Sequence, residues 1–131
     1  MNEGRRPARA AAWLMAARPR TLTAAIVPVA VGTALAFRAG HARWGPALAA
    51  LAGALLIQVG TNLFNDYYDF VRGADTSERV GPVRVTQAGL LAPRQVLFAA
   101  WAVFAAAFLV GLYLAAVGGW PIVALGLASL A

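Results

Sequence analysis

The sequence predicts an all-α membrane protein, a polytopic bundle of transmembrane helices. Of its 131 residues, 61% are hydrophobic and only 12% are charged. A soluble domain of this length needs polar residues over most of its surface, and this composition does not supply them. The apolar residues also form long runs without the alternation of amphipathic helices or strands, which is the pattern of membrane spans.

The N-terminal part is predicted to reach the membrane surface and then to cross it. Residues 1–12 form a basic tail, and Trp13 to Arg20 combine an aromatic residue with arginines, which suits the headgroup region. The first span is expected at Thr21–Phe37. At about 1.5 Å per residue it is short for a hydrocarbon core of roughly 30 Å, so flanking residues must complete it. Pro28 is expected to kink this helix.

Three further apolar segments follow. A short polar turn, residues 38–43, separates the first span from the second, and a longer polar segment, residues 65–94, precedes the third. The last apolar segment is too short to cross a membrane. We therefore expect three full spans and the start of a fourth. The segments are, in order, Trp44–Phe64, Gln95–Val117 and Ile122 to Ala131.

The charge distribution indicates a membrane orientation. All eleven basic residues are arginine, against five acidic residues. Nucleic-acid binding would need a basic face on a soluble module, whereas these arginines flank apolar segments, so we expect no nucleic-acid partner and contact with anionic lipid instead. Nine arginines lie in the N-terminal region and the 65–94 segment, which two spans place on one side, and two lie in the 38–43 turn. We therefore predict a multi-pass protein of the inner (plasma) membrane, with the N-terminus and the 65–94 segment in the cytoplasm.

The stretch TNLFNDYYDFVRGADTSER, residues 61–79, contains four of the five acidic residues and follows an uncharged span. If the second helix continues for two turns past Phe64, four polar residues occupy one helix face within an arc of about 100°. Carboxylates this close repel each other, and the nearby hydrocarbon increases the cost of their charge, so we expect a cation on this face. The four residues are Asn62, Asn65, Asp66 and Asp69, and Asp75 follows after Gly73.

The residue types indicate which ligand this segment binds. An all-oxygen set suits Mg²⁺, Mn²⁺ or Ca²⁺ rather than zinc or copper, and Mg²⁺ is commonly held by carboxylates together with phosphate oxygens. Arg72, Arg79 and Arg84 lie nearby, and guanidinium groups bind phosphate. The pattern favours a diphosphate site at the membrane surface. The alternative is that Asp66 and Asp69 merely end a helix at the interface, where arginines form solvated ion pairs with them.

Three stretches resemble a known family. TNLFNDYYDFVRGADT resembles the first aspartate-rich motif of the UbiA superfamily of intramembrane aromatic prenyltransferases. ARPRTLTAAIVPVAVG before it and GPVRVTQAGLLAPRQV after it resemble the branch that prenylates 1,4-dihydroxy-2-naphthoate in menaquinone biosynthesis. The long interval from Asp69 to Asp75, which contains Gly73, is that branch's variant of the motif. The resemblance extends from about Trp13 to Val117.

The resemblance implies an all-helical fold around a central cavity. Aspartate-rich motifs on cytoplasmic loops would hold Mg²⁺ and the diphosphate of a polyprenyl diphosphate, whose prenyl group is transferred to an aromatic acid. By position in the motif, the implied metal ligands are Asp66, Asp69 and Asp75, assisted by Asn62 and Asn65. The implied substrate contacts are Arg18, Arg72, Arg84 and Tyr68. The arginines can equally be topology anchors, and Tyr68 an interfacial aromatic residue.

The family's second aspartate motif lies far downstream of the first, whereas this sequence stops at Ala131. We therefore expect residues 1–131 to be the N-terminal part of a single transmembrane prenyltransferase domain, truncated and inactive alone unless another chain supplies the remainder. Two other functions stay open: a cation transporter or channel, and a non-catalytic fragment. Transport sites usually lie near the bilayer midplane, whereas these acids lie at a span end among arginines, which disfavours transport.

Overall fold

The computed structural model describes residues 8–72, 86 and 89–130, and within these ranges the chain contains helices and no strand. The all-α prediction is therefore confirmed for this part of the chain. A 3-10 turn, Pro19–Thr21, joins the first two helices. The helices are α1 (Arg9–Ala17), α2 (Leu22–Arg38), α3 (Trp44–Val71), α4 (Pro93–Gly118) and α5 (Trp120–Leu130).

The helix lengths match the predicted spans. Three segments are long and apolar enough to cross a membrane: α1 with α2 (Arg9–Arg38), α3 and α4. The shorter α5 corresponds to the predicted incomplete segment. Helix α3 runs seven residues past Phe64 to Val71, so the first carboxylates of the aspartate-rich segment stand on a continuous helix, as the face argument required. Pro28 lies inside α2.

Helices α3 and α4 pack antiparallel through small residues on α3. A Cβ placed on Gly53 would lie 3.3 Å from Cγ1 of Val110, and one placed on Gly60 would lie 2.9 Å from Cε2 of Phe104. The absence of side chains at these glycines lets the two backbones approach closely. The Phe104 ring then packs on the ring of Phe64, with 5.3 Å between centroids. These contacts fix the position of the end of α3 relative to α4.

Helix α1 belongs to the packed part of the protein although its first residues lie in the predicted basic tail. Its alanines present a flat surface, and Ala12 and Ala16 are each 1% exposed. By contrast, no residue of α2 is buried, so α2 contacts its surroundings along its whole length. The buried apolar cluster joins α1, α3 and α4 and consists of Ala12, Ala16, Leu63, Leu91, Val96 and Ala100.

Candidate functional site

The turn between α1 and α2 has an unusual backbone at Arg18. This residue is in the left-handed region, with φ 52° and ψ 73°, which costs a non-glycine residue about 1 kcal/mol. Pro19 follows, and a proline disfavours the helical conformation in the residue before it, so α1 ends here. The Arg18 carbonyl oxygen accepts hydrogen bonds from the Thr21 N–H (2.9 Å) and the Thr21 hydroxyl (2.8 Å). The turn is therefore held in one geometry.

Asn62 connects this turn to α3. Its side chain is 4% exposed, and its Nδ2 donates to the Ala17 carbonyl oxygen and to Oγ1 of Thr21, each at 2.8 Å. Because a carbonyl oxygen can only accept, the orientation of the amide is determined, and only Oδ1 can face a cation. The structure thus gives Asn62 a second role as a tie between helices. Its metal role stays a prediction.

Asp66 lies one turn beyond Asn62 on the same face of α3 and is 1% exposed. Its Oδ1 accepts a hydrogen bond from the backbone N–H of Thr86 at 3.0 Å. The Thr86 carbonyl oxygen in turn accepts from the N–H of Gly89 (3.1 Å), whose φ of 73° closes the turn. Since a buried carboxylate needs hydrogen bonds or charge partners, this contact fastens the segment before α4 onto α3.

The other members of the predicted face differ in exposure. Asp69 is half-buried and Asn65 is exposed, so the inward-facing pair is Asn62 and Asp66. Among the residues that the structure describes, no group of three or more histidine, cysteine, aspartate or glutamate side chains lies together. The predicted residues Asp75 and Arg84 lie outside the described ranges.

The exposed side of the α3 end carries a stack of aromatic rings and an arginine. Tyr68 is 42% exposed, stacks on Phe64 with 5.6 Å between centroids, and has the guanidinium carbon of Arg72 at 5.7 Å from its ring centroid. An exposed cation–π contact of this kind is worth about 0.5–1 kcal/mol. It orients Arg72 while leaving its N–H groups accessible to an anion.

Arg18 points in a different direction from a typical topology anchor. The residue is half-buried and its Nη2 atom is buried, so the guanidinium is directed into the protein. It follows Ala17, whose carbonyl oxygen bonds Asn62. The turn that contains Arg18 is therefore held beside Asn62 at this end of α3. The substrate role of Arg18 stays a prediction.

Sequence reasoning missed Thr21 and Thr86 as parts of the site. Thr86 lies in one of the stretches that resemble the family, but it is twenty residues from Asp66 along the chain, and no spacing rule connects positions that far apart. Thr21 was assigned to the start of the first span. A threonine that follows an X–Pro turn was the available sign that it had a local hydrogen-bonding role.

Comparison with known proteins gives the class of protein. The profile of the UbiA prenyltransferase family matches residues 25–131, which is most of the chain. The protein belongs to this family, and the predicted resemblance is confirmed.

Individual relatives show which members of the family the chain is similar to. The chain is 46% identical to a 1,4-dihydroxy-2-naphthoate octaprenyltransferase of Mycobacterium tuberculosis over 88% of this chain and 39% of that protein. It is 42% identical to the protein of the same name from Bacillus subtilis over 87% of this chain and 37% of the relative. A UbiA prenyltransferase domain-containing protein 1 of Gallus gallus is 40% identical over 66% of this chain and 26% of its own length. The chain thus spans about two fifths of the length of these two bacterial relatives. No solved structure gives a significant match.

Proposed function

We propose that the protein takes part in transferring a polyprenyl group from a polyprenyl diphosphate to 1,4-dihydroxy-2-naphthoate, in menaquinone biosynthesis. Family membership supports the reaction class, and five bacterial relatives that are 34–46% identical share a name specifying this acceptor. The structural observation behind the proposal is Asp66, a fully buried carboxylate at the end of an apolar span. Acids at the edge of an apolar span often mark functional sites, which supports a ligand-binding role for Asp66 in addition to its bond with Thr86.

The donor set fits Mg²⁺. Asp66 and Asp69 stand one helical turn apart, and the amide oxygens of Asn62 and Asn65 are also hard donors, so every candidate atom is oxygen. These residues, together with Asp75, would hold the ion. Bound Mg²⁺ would supply neutralisation of the charge that accumulates on the diphosphate as its bond to carbon breaks.

The protein's own cations would act on the same leaving group. In the reaction, the allylic C–O bond breaks and its electron pair leaves with the diphosphate, while a ring carbon of the acceptor forms the new C–C bond and its carboxylate departs as CO₂. Arg72, oriented by Tyr68, and Arg84 would bind diphosphate oxygens through charge-assisted hydrogen bonds. Arg18, directed inward, would bind the acceptor carboxylate or the diphosphate. The apolar part of α3 that precedes the aspartates would keep water from the allylic cation.

The proposed location is the plasma membrane, with the aspartate-rich segment in the cytoplasm. The hydrogen bond between Asn62 and Ala17 supports this arrangement, because it brings the N-terminal arginines and the aspartates to the same end of the helices. The arginine asymmetry then selects the cytoplasmic side.

The test is enzymatic. The native reading frame that contains this chain is expressed in a bacterium without its own naphthoate prenyltransferase, and membranes receive polyprenyl diphosphate and 1,4-dihydroxy-2-naphthoate with Mg²⁺ or with a chelator. We expect demethylmenaquinone by mass spectrometry with Mg²⁺ and none with chelator. An Asp66→Asn variant in matched membranes is the control for host enzymes. Prenylation of another aromatic acid in preference to the naphthoate would reject the acceptor, and absence of any prenylated product would reject the function.

A further inference from the structure

Thr86 has a buried hydroxyl group in addition to the backbone N–H that bonds Asp66. The residue is 3% exposed, and its Oγ1 has no hydrogen-bond partner in the part of the chain that the structure describes. A buried hydroxyl without a partner is unfavourable, because it has lost its hydrogen bonds to water and gained none. Such a group is a reason to expect a ligand.

The position of this hydroxyl is closely defined. The Thr86 N–H donates to Oδ1 of Asp66 at 3.0 Å, and only Cα and Cβ separate that nitrogen from Oγ1, so the hydroxyl lies beside the buried carboxylate. The backbone on its other side is held by the hydrogen bond from Gly89 to the Thr86 carbonyl oxygen. Leu91 then anchors the segment in the apolar cluster at 4% exposure. The hydroxyl is therefore presented to the site by a fixed backbone.

We infer that the Thr86 hydroxyl donates a hydrogen bond to a diphosphate oxygen of the prenyl donor. This inference rests on the proposed function. A hydroxyl can donate a hydrogen bond to an anionic oxygen, and a diphosphate bound through a cation at Asp66 would bring such an oxygen beside Thr86. An O–H donor to a charged phosphate oxygen is among the stronger neutral-to-ionic hydrogen bonds. Thr86 is thus a substrate-binding residue rather than part of the metal's ligand set.

The test uses Thr86→Val, which removes the hydroxyl at nearly constant shape, and Thr86→Ser, which keeps it. Both are made in the protein expressed from its native reading frame and reconstituted in lipid nanodiscs. Affinity for geranylgeranyl diphosphate is measured with Mg²⁺ present, and affinity for Mn²⁺ is measured without the diphosphate. The thermal midpoint of the ligand-free protein is recorded for each.

We expect Thr86→Val to weaken geranylgeranyl diphosphate binding by about tenfold or more, and Thr86→Ser by less than about threefold. Mn²⁺ affinity should stay unchanged in both. The ligand-free midpoint of Thr86→Val should equal or exceed that of the wild type, because valine removes a buried polar group that lacks a partner. If Thr86→Val binds the diphosphate more weakly but is no less stable than the wild type, the hydroxyl acts in ligand binding and not in folding.

Several results would overturn the inference. Equal affinities of the wild type and Thr86→Val, or equal losses in the valine and serine variants, would show that the hydroxyl does not bind the diphosphate. A loss of Mn²⁺ affinity alone would assign it to the cation. A lowered midpoint, or failure of both Thr86→Val and Thr86→Ala to fold, would show a structural partner. If the wild type itself binds no prenyl diphosphate, the proposed function fails first, which distinguishes the two failures.

Discussion

The side-chain nitrogen of Asn62 lies 2.8 Å from the carbonyl oxygen of Ala17, forty-five residues earlier in the chain. The same nitrogen reaches the Thr21 hydroxyl at 2.8 Å, so one buried amide holds both sides of the turn that contains Arg18. This holds the turn that contains Arg18 beside the end of α3 that carries the aspartates. The two roles of Asn62, a tie between helices and a proposed metal ligand, can be tested separately.

Replacing Asn62 by aspartate should destabilise the protein about as much as replacing it by alanine. Aspartate replaces the donor with an acceptor that faces the Ala17 carbonyl oxygen, and each variant leaves that buried oxygen without its hydrogen bond, at a cost of about 1–3 kcal/mol. The measurement is the thermal midpoint of unfolding in detergent. Thr61→Val is the matched control, because the Thr61 hydroxyl bonds only the Ile57 carbonyl oxygen of its own helix. If Asn62→Asp is as stable as the wild type and binds Mn²⁺ more tightly, Asn62 is principally a metal ligand.

Asp66 and Asp69 should respond differently to neutralisation. Asp66→Ala removes the acceptor of the Thr86 N–H, so the segment before α4 should loosen, and hydrogen exchange of peptides containing Thr86 should accelerate. Asp66→Asn keeps an acceptor oxygen and should exchange more slowly than the alanine variant. Asp69→Ala serves as the comparison and should leave that exchange unchanged.

Prenyl transfer should fall by about 100-fold or more in all three variants, since each removes a negative charge from the proposed metal site. Hydrogen exchange therefore reports on the bond between Asp66 and Thr86, whereas prenyl-transfer activity reports on the proposed metal site. Full activity in Asp66→Asn would contradict a metal-binding role of Asp66. Unchanged hydrogen exchange in Asp66→Ala would show that the bond to Thr86 does not hold the segment before α4.

Gly60 should not tolerate a side chain, because an alanine Cβ would lie 2.9 Å from the Phe104 ring, which also packs on the ring of Phe64. Gly60→Ala is expected to destabilise the α3–α4 pair by about 1–2 kcal/mol through overpacking, measured by unfolding in detergent. Gly111→Ala on α4 is the control, since nothing lies within 4 Å of its added Cβ, and it should be neutral or stabilising. Combining Gly60→Ala with Phe104→Leu should recover part of the loss. A Gly60→Ala protein as stable as the wild type would show that the ring moves aside easily.

The orientation can be tested directly because the chain contains no cysteine. Single variants Ala8→Cys and Ala39→Cys place thiols at exposed positions before α1 and after α2. A membrane-impermeant maleimide added to intact spheroplasts should label Ala39→Cys, and should label Ala8→Cys only after permeabilisation, as the arginine asymmetry predicts. The opposite pattern would place the aspartates outside the cell and reject the proposed location.

Much of the fold could be predicted from the sequence because a membrane imposes a simple requirement on composition. The limits of α2 and α4 lie within two residues of the predicted spans, since long apolar runs and flanking arginines mark them clearly. The packing of α1 was not predicted. Its residues are alanine-rich and basic, and only the burial of Ala12 and Ala16 against α3 distinguishes it from a surface tail.

The candidate site, like the fold, is only partly predictable from the sequence. Helical periodicity correctly placed Asn62 and Asp66 on one face of a continuous α3, because that relation is local in the chain. The partners of these residues, Ala17 and Thr86, depend on how distant segments fold back. Periodicity carries no information about such contacts, so the sequence alone indicated carboxylates without the groups that surround them.

The exposure of α2 has a consequence for the membrane in which the protein works. Its seventeen residues span about 25 Å, less than a hydrocarbon core of roughly 30 Å. The full candidate span, Arg9–Arg38, includes α1, so the residues that flank α2 or local thinning of the lipid must make up the difference.

One end of this helix begins directly after Thr21, whose hydroxyl bonds Asn62. Any strain from a mismatched bilayer therefore acts on the turn that carries Arg18. We therefore expect the acyl-chain length of the surrounding phospholipids to influence the geometry of this turn.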